Sequence, residues 1–188
     1  MRDDALTGQI GSVIWLTGLS DSGKTTVGHL VADKLRASGA SIVRLDGDEL
    51  RKIFGKAGDH SRDTRIRLGY QYCGLCEVLA RQGYIVVISA IAMFSEVQAW
   101  SRARLPGFFQ VYLKIPLAEV RRRDTKGIYS AFDRGVEKNV CGLDLNVDEP
   151  EQPDFLEDFK PERRPDAIAK DIVDEWYRAI GVQLSCAR

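Results

Sequence analysis

Residues 18–26 read Gly-Leu-Ser-Asp-Ser-Gly-Lys-Thr-Thr and match the phosphate-binding pattern G-x-x-x-x-G-K-[ST]. The apolar run 13–16 before them suits a buried strand, and apolar residues recur at helical spacing over 27–35. Backbone N–H groups of such a loop and the positive end of the helix behind it converge on a small volume that can hold a polyphosphate. The sequence therefore favours a phosphate loop at residues 18–26 over an ordinary glycine-rich turn.

Two side chains of this phosphate loop suit phosphoryl transfer. Lys24 is predicted to reach the β- and γ-phosphates of a nucleoside triphosphate, and Thr25 to place its hydroxyl on Mg²⁺. The metal would cancel charge between adjacent phosphate oxygens and hold them for transfer. The residues expected to bind the triphosphate are Gly18, Leu19, Ser20, Asp21, Ser22, Gly23, Lys24, Thr25 and Thr26.

A second cluster of candidate residues follows the next apolar run, where Asp46 and Asp48 bracket a glycine. Asp48 is predicted to be the general base or orienting group for an attacking hydroxyl, and Asp46 to support the water shell of Mg²⁺. Arg51 would bind an anion on the acceptor. Taken alone, this stretch would suit a solvated acidic turn. Its place beside the phosphate loop favours the catalytic interpretation.

A dense cationic run, Arg-Arg-Arg-Asp-Thr-Lys-Gly-Ile-Tyr, occupies 121–129 after the fourth apolar run. Arg123 and Lys126 lie where mobile cationic side chains can close over a nucleotide and exclude water. We therefore expect a lid segment at approximately 116–150, in preference to a merely solvated surface helix, with Lys126 as a catalytic candidate.

The elements that position these residues alternate between strand-like and helix-length segments. Apolar runs recur at 13–17, 42–45, 85–89 and 111–115, with a weaker fifth run near 155–156. This alternation predicts an α/β fold with a five-stranded parallel sheet and helices on both faces. Ligands of such sheets bind beyond the carboxyl ends of the strands, where all three clusters fall. A last amphipathic helix is predicted from about Asp166 to Ile180, with Ile168, Ile172, Trp176 and Ile180 on one side.

The composition fits one domain over the 188 residues. Its 27 basic and 27 acidic residues cancel, so charge gives no case for nucleic-acid or membrane binding. The first eight residues lack an apolar signal core, and the longest apolar stretch, 84–94, is too short for a membrane helix. We expect a cytoplasmic protein with reduced cysteines, in which Cys73 and Cys76 pack in a core rather than hold zinc or form a redox pair.

Together these residues resemble the adenylylsulfate kinases, which transfer the γ-phosphoryl group of ATP to the ribose 3′-hydroxyl of adenylyl sulfate. The matching motifs lie, in the family's order, at 14–20, 45–51, 123–129 and 138–150. The likeness covers nearly the whole chain, and it is more specific than the phosphate loop alone.

This resemblance implies a P-loop kinase fold that binds ATP and Mg²⁺, takes a small nucleotide as acceptor, serves sulfate assimilation and is compatible with a homodimer. Asp48 would lie beside the 3′-hydroxyl, and Lys126 would belong to a closing lid. The acceptor-binding residues that follow from the resemblance are Asp48, Arg51, Arg65, Ile91, Ala92, Lys126 and Val140.

The departures from the family pattern concentrate on the acceptor side. His60-Ser61 stands where the family has a phenylalanine-serine pair, Leu68 replaces an asparagine, and Val140 replaces a second phenylalanine that encloses the acceptor's adenine. Because stacking on aromatic faces is a large share of base binding, the loss of both rings weakens the case for adenine. Ala92 replaces a serine once assigned as a phosphoenzyme site, so direct transfer is the only route expected.

A further departure lies in the phosphate loop itself, where Asp21 replaces a glycine. Aspartate tolerates unusual backbone angles better than most residues, so the loop geometry can survive. The extra negative charge beside the phosphates should nevertheless cost some affinity.

Adenylyl sulfate is the leading candidate for the acceptor, and other functions stay open beside it. Cytidine diphosphoramidate kinases of capsule biosynthesis resemble the same family, and residues 72–76 and 90–94 look more like that branch. A GTP-dependent regulatory module would need a guanine-reading Asn-Lys-x-Asp, which the sequence lacks. A nucleotide-binding scaffold without activity is disfavoured because Lys24, Thr25 and Asp48 are all present.

Overall fold

The computed structural model of the chain describes residues 11–54 and 60–186, with side chains described as far as residue 181. The first eight residues, on which the expectation of no signal sequence rests, lie outside this part. In the described part, no helix is both long enough and apolar enough to cross a lipid bilayer.

Strands and helices alternate along the chain in the order that the apolar runs predict. The elements are β1 (Ser12–Thr17), α1 (Lys24–Ala37), β2 (Ile42–Asp46), α2 (Gly47–Phe54), α3 (Arg62–Arg81), β3 (Ile85–Ser89), α4 (Ser95–Arg104), β4 (Phe108–Lys114), α5 (Leu117–Arg123), α6 (Ile128–Asp133), β5 (Phe155–Asp158) and α7 (Pro165–Cys186).

The five strands form one parallel sheet in the order β2-β3-β1-β4-β5. The predicted α/β class and five-stranded parallel sheet are therefore confirmed. β1 lies in the middle, and its residue Leu16 pairs with Ser89 on one side and with Val111 on the other. This register brings the ends of β1 and β3 to one edge of the sheet, where the phosphate loop begins.

Alternate residues of β1 enter two different cores, as expected for a strand buried on both faces. Ile14 and Leu16 pack with side chains of α1 and α7. Val13 and Trp15 pack on the opposite face with residues of α3 and α4. Helices therefore cover both faces of the sheet, and the loops at its carboxyl edge stay open for a ligand.

Two differences from the sequence prediction concern the start of β4 and the stretch after β2. β4 begins at Phe108 rather than at 111, because 108–110 pair with Val13, Ile14 and Trp15 of β1. The sequence did not predict this extension because the polar Gln110 interrupts the apolar pattern. Its side chain is buried, accepts a hydrogen bond from Arg102 at 3.2 Å and donates one to Gln98 at 3.3 Å, so the polar group is satisfied inside the fold.

The second difference concerns the acidic stretch after β2, where the sequence predicts candidate site residues but no helix. α2 begins at Gly47, directly after the last residue of the strand. Asp48 and Arg51 therefore stand three residues apart on a helix, which places both side chains on one face.

The predicted core positions of α7 and of the C-x-x-C pair are confirmed. Ile172 and Trp176 are buried on α7, with Ile168 and Ile180 packed against the same cluster. Cys73 and Cys76 are buried in α3 as free thiols. Burial raises the pKa of Cys73 to about 11 and that of Cys76 well above its ordinary value, which makes both poor nucleophiles.

Replacing Ile172 by Ala should lower the free energy of unfolding by about 2–5 kcal/mol, because it deletes a fully buried side chain between α7 and the sheet. Lys170→Ala on the same helix is the matched control. The Lys170 side chain is 66% exposed, so its loss should cost less than about 0.5 kcal/mol. Urea denaturation followed by circular dichroism measures both changes, and equal losses would contradict the packing described.

Candidate active site

A cleft of about 300 Å³ opens at the carboxyl ends of β1, β2 and β3. It lies where a parallel sheet with crossover helices is expected to bind ligands. Most of the residues singled out in the sequence meet there. Those that line the cleft are Ser20, Asp21, Gly23, Lys24, Thr25, Thr26, Asp46, Asp48, Arg51, Arg65, Ile91, Ala92, Arg123 and Lys126.

The phosphate loop takes its shape from three residues with positive φ. Gly18 has φ 146°, and a Cβ there would lie 2.6 Å from the carbonyl oxygen of Leu113, so a side chain does not fit. Asp21 (φ 57°) and Gly23 (φ 93°) adopt the left-handed region, and α1 begins directly afterwards at Lys24. The loop therefore wraps around the amino end of a 14-residue helix, which is an anion-binding arrangement.

Lys24 points back into this loop. Its Nζ donates hydrogen bonds to the carbonyl oxygen of Leu19 at 2.6 Å and to Ser22 Oγ at 3.4 Å. Burial, together with the nearby charge of Lys126, lowers the pKa of Lys24 to about 8. The neighbouring carboxylates of Asp48, Asp46 and Asp21 do not offset the burial of this lysine, so it gains strongly from a polyphosphate that brings further negative charge.

Thr25 and Asp46 present neighbouring oxygen atoms on the floor of the cleft. The Thr25 hydroxyl donates to Asp46 Oδ2 at 2.8 Å, and Asp46 Oδ1 accepts the backbone N–H of Asp48 at 2.9 Å. A hydroxyl beside a carboxylate is the hard oxygen set that Mg²⁺ takes together with phosphate oxygens and water. The residues present thus fit the predicted magnesium ion.

Asp48 and Lys126 form an ion pair across the cleft, between Oδ2 and Nζ. Burial alone would raise the pKa of Asp48, but the hydrogen bond and charge of Lys126, with the charges of Arg51 and Lys24, hold that pKa below its ordinary value. Asp48 is therefore an ionised carboxylate whose oxygens can accept a hydrogen bond from a hydroxyl.

The two arginines predicted for the acceptor lie on the other side of Asp48. Arg51 Nη1 lies 2.9 Å from His60 Nδ1. Arg65 donates to the carbonyl oxygen of His60 from Nε and to that of Asn139 from Nη2, both at 3.0 Å. Burial lowers the pKa of Arg65, yet a guanidinium stays charged at neutral pH. This end of the cleft is therefore a preformed cationic pocket.

The predicted residues that do not line the cleft have structural surroundings instead. Ser22 is buried beneath Lys24, and Leu19 packs against Gly142, whose added Cβ would lie 3.1 Å from the leucine methyls. Val140 was predicted to contact the acceptor. Its side chain is instead buried in a small core of the lid segment with Val120 and Tyr129, so it offers no surface to the cleft.

Sequence reasoning gave no role to several residues that do line the cleft. Leu68, Gly69 and Tyr72 follow the predicted Arg65 on α3 at the spacing of a single helical face, which is a pattern that could have found them. Phe94 carried no such pattern, because it lies in an irregular turn before α4. The cleft residues without a predicted role are Gly47, Leu68, Gly69, Tyr72, Ser89, Ala90, Phe94 and Thr125.

The segment after β3 is held by side chains of β1. Trp15 Nε1 donates to the carbonyl oxygen of Ala90 at 3.4 Å, and the Thr17 hydroxyl donates to that of Ile91. Ala92 then takes a positive φ of 37°, which is strained for a residue with a side chain. The main chain is thereby fixed in an uncommon turn at the wall of the cleft.

Comparison with known proteins gives the family. The family model described as adenylylsulphate kinase matches residues 10–158, which is most of the chain. The chain belongs to this family. It is thus a P-loop kinase, a phosphotransferase that acts on a hydroxyl acceptor, as the sequence predicts.

Relatives named for two different substrates are about equally identical in sequence to this chain. A cytidine diphosphoramidate kinase of Campylobacter jejuni is 36% identical over 140 residues, covering 74% of this chain and 81% of the relative. An adenylyl-sulfate kinase of Picosynechococcus is 35% identical over 148 residues, covering 77% and 81%. The APS kinase CysC of Mycobacterium tuberculosis, solved with AMPPNP and APS, superposes with a TM-score of 0.82 at 32% identity, covering 89% of this chain and 98% of that one.

The lowered pKa of Lys24 predicts a pH dependence of stability. Between about pH 8 and its ordinary value of 10.5, the unfolded chain holds the Lys24 proton and the folded chain does not, so the free energy of unfolding rises with pH there. Lys24 thus destabilises the fold below pH 8, and this cost is lost towards pH 10.5. We expect Lys24→Met to be more stable than wild type at neutral pH by on the order of 1 kcal/mol.

Urea denaturation at neutral pH and at about pH 9.5 checks this, because the advantage of Lys24→Met should shrink at the higher pH. Comparing variant with wild type cancels the opposite titration of the buried cysteines. Lys34→Met, which removes another lysine of α1, corrects for the general loss of one positive charge. A difference between Lys24→Met and wild type that stays constant with pH would contradict the burial of this amine.

Proposed function

We propose that this protein transfers the γ-phosphoryl group of ATP to the ribose 3′-hydroxyl of a nucleotide with an anionic tail. The observation that carries the proposal is the single cleft in which a lysine at a helix amino end, an ionised Asp48 and the cationic pocket of Arg51 and Arg65 lie side by side. Membership of the adenylylsulphate kinase family and the AMPPNP-bound structural neighbour support ATP as the donor.

On the donor side, the loop amides and Lys24 would hold the β- and γ-phosphates in place. Thr25 and Asp46 would hold Mg²⁺, which supplies charge cancellation between the phosphate oxygens. Arg123, whose guanidinium lies over the ring of Phe159 at 5.4 Å and donates to the carbonyl oxygen of Asp21 at 3.2 Å, would cover the nucleotide from the lid.

On the acceptor side, Asp48 would accept a hydrogen bond from the 3′-hydroxyl and aim its oxygen at the terminal phosphorus. A loose transition state needs this positioning more than early proton removal, so a carboxylate of low pKa is sufficient. Lys126 would stabilise the charge that develops on the transferred group. The phosphoryl group would pass directly to the acceptor, because Ala92 has no hydroxyl that could carry it.

Two acceptors satisfy this chemistry. Adenylyl sulfate, which the resemblance implies first, is supported by the APS-bound neighbour and by the adenylyl-sulfate kinase relatives. Cytidine diphosphoramidate is supported by the relative from Campylobacter jejuni and by the acceptor side of the cleft. Val140 is buried in the lid core and His60 contacts Arg51, so neither supplies an aromatic clamp for adenine. We therefore favour the cytidine nucleotide, because its smaller base depends less on stacking for its binding.

A coupled ADP-release assay on both acceptors, with cytidine diphosphate as a further member of the panel, tests the substrate. The cytidine diphosphoramidate should give a kcat/KM at least about tenfold above that of adenylyl sulfate, the scale of one lost aromatic stacking contact. Reactions without acceptor and with Lys24→Ala give the background. A higher kcat/KM for adenylyl sulfate would reverse the choice of base, and ADP release with none of the panel would contradict the proposed function.

Replacing Asp48 by Asn should lower kcat about 100-fold or more, because the neutral amide loses the charge-assisted hydrogen bond to the hydroxyl and the ion pair with Lys126. The dissociation constant of ATP should change less than about threefold. Steady-state kinetics and calorimetry measure the two quantities. Glu49→Gln is the matched control, since this neighbouring carboxylate is 64% exposed and lies outside the cleft lining. A wild-type kcat in Asp48→Asn would remove Asp48 from the mechanism.

A further inference from the structure

We propose that Asp21 and Thr125 form a latch that fastens the lid to the phosphate loop and thereby positions Lys126 beside Asp48. The inference rests on the proposed function for the role of Lys126 and extends it to two positioning residues. Neither residue belongs to the phosphate-binding pattern itself, since Asp21 occupies one of its variable positions.

Three hydrogen bonds join the lid to two adjacent residues of the phosphate loop. The Thr125 hydroxyl donates to Asp21 Oδ1, and Arg123 Nη1 donates to the Asp21 carbonyl oxygen at 3.2 Å. The Tyr129 hydroxyl donates to the carbonyl oxygen of Ser20 at 3.2 Å. Only the bond from Thr125 uses a side chain of the loop, so only this bond depends on which residue stands at position 21.

The lid turn, residues 124–127, is held rigid by its own hydrogen bonds, so a contact at one of its residues also restrains the others. The Asp124 carboxylate accepts the backbone N–H of Tyr129 at 3.0 Å and that of Ser130 at 2.9 Å. The backbone N–H of Gly127 closes the turn on the Asp124 carbonyl oxygen at 3.0 Å. A hydrogen bond that fixes Thr125 therefore also fixes the next residue along the turn.

That next residue is Lys126, whose Nζ contacts Asp48 on the opposite wall of the cleft. A series of contacts thus leads from Asp21 through Thr125 and Lys126 to Asp48. All four residues line the same cleft as Lys24. Lys126 is a long side chain, 45% exposed, and its ion pair alone holds it weakly. A second anchor one residue away reduces the freedom that the lysine must lose when it binds the transferred phosphoryl group.

The chemistry of Asp21 agrees with this role. Its carboxylate adds negative charge beside a polyphosphate, which by itself would cost affinity. Its Oδ2 is buried and has no hydrogen-bond partner in the part of the chain that the structure describes, so Thr125 is the side chain that orients the carboxylate. The positive φ of 57° at this position is one that Gly and Asn also adopt, so both can replace Asp21 with the loop conformation retained.

Four variants separate the latch from a general effect on folding. Asp21→Gly and Thr125→Val remove one partner each, whereas Asp21→Asn and Thr125→Ser keep an acceptor and a hydroxyl. In nucleotide-free protein, amide hydrogen exchange of peptides covering 121–133 should quicken on the order of fivefold in the first pair, the effect of one lost hydrogen bond on local opening. The second pair should exchange as wild type does, and a peptide covering α1 should be unchanged in all four.

The double variant Asp21→Gly/Thr125→Val decides whether the two residues act through one contact. Its exchange rate and its kcat should match those of the single variants, because the second change removes nothing further. Additive effects, or wild-type exchange in Thr125→Val, would overturn the latch. Asp174→Asn, which alters an exposed ion pair on α7, is the control for loss of a carboxylate.

Exchange in the nucleotide-free protein needs no acceptor and no turnover, so this result is independent of the proposed function. Quickened exchange with no kinase activity on any acceptor would uphold the latch and contradict the function. Unchanged exchange in the variants of an active enzyme would contradict the latch and leave the proposed function standing. In an active enzyme, the latch predicts that Asp21→Gly lowers kcat at saturating ATP while Asp21→Asn restores it, a rescue that lost charge alone would not produce.

Discussion

Incompletely compensated positive charge at the amino end of α1 is the constraint on which the rest of the site depends. Lys24 is held inside its own loop by the Leu19 carbonyl oxygen, and burial lowers its pKa to about 8. The charges of Asp48 and Asp46 act against this lowering without cancelling it. A ligand that brings several negative charges therefore completes the electrostatics of the cleft, which is the physical reason that a polyphosphate belongs there.

The parallel sheet supplies the partners of that lysine from separate parts of the chain. β1 leads into the phosphate loop, β2 ends at Asp46, and β3 leads into the strained turn at Ala92. Because parallel strands end at one edge, three exits meet within one cleft. α2 begins without a loop after β2, so Asp48 and Arg51 are held on a rigid helix rather than on a flexible connection.

The predicted lid, residues 116–150, contacts two different parts of the cleft. Arg123 donates a hydrogen bond to the Asp21 carbonyl oxygen, and Asn139 accepts one from Arg65, so this segment contacts both the phosphate loop and the arginine pocket. The cationic groups proposed for phosphoryl transfer line the cleft, whereas the two positions that the resemblance implies for enclosing adenine hold a buried Val140 and a His60 in contact with Arg51. In the proposed function, reaction type and base choice therefore depend on different residues. The relatives of this chain include both a cytidine diphosphoramidate kinase and an adenylyl-sulfate kinase.

The sequence by itself determined the fold class and the phosphate loop, because periodicity and spacing leave local patterns that sterics and hydrogen bonding enforce. It also predicts the roles of Asp48 and Arg51 and the lid, which stay predictions. Tertiary structure alone decided the rest. The packing of the elements buried Val140 with Val120 and Tyr129, and it placed Tyr72 and Phe94 in the wall of the cleft. It also brought Thr125 into hydrogen-bond contact with Asp21. These outcomes depend on which elements pack together, and packing brings into contact residues that no local pattern connects.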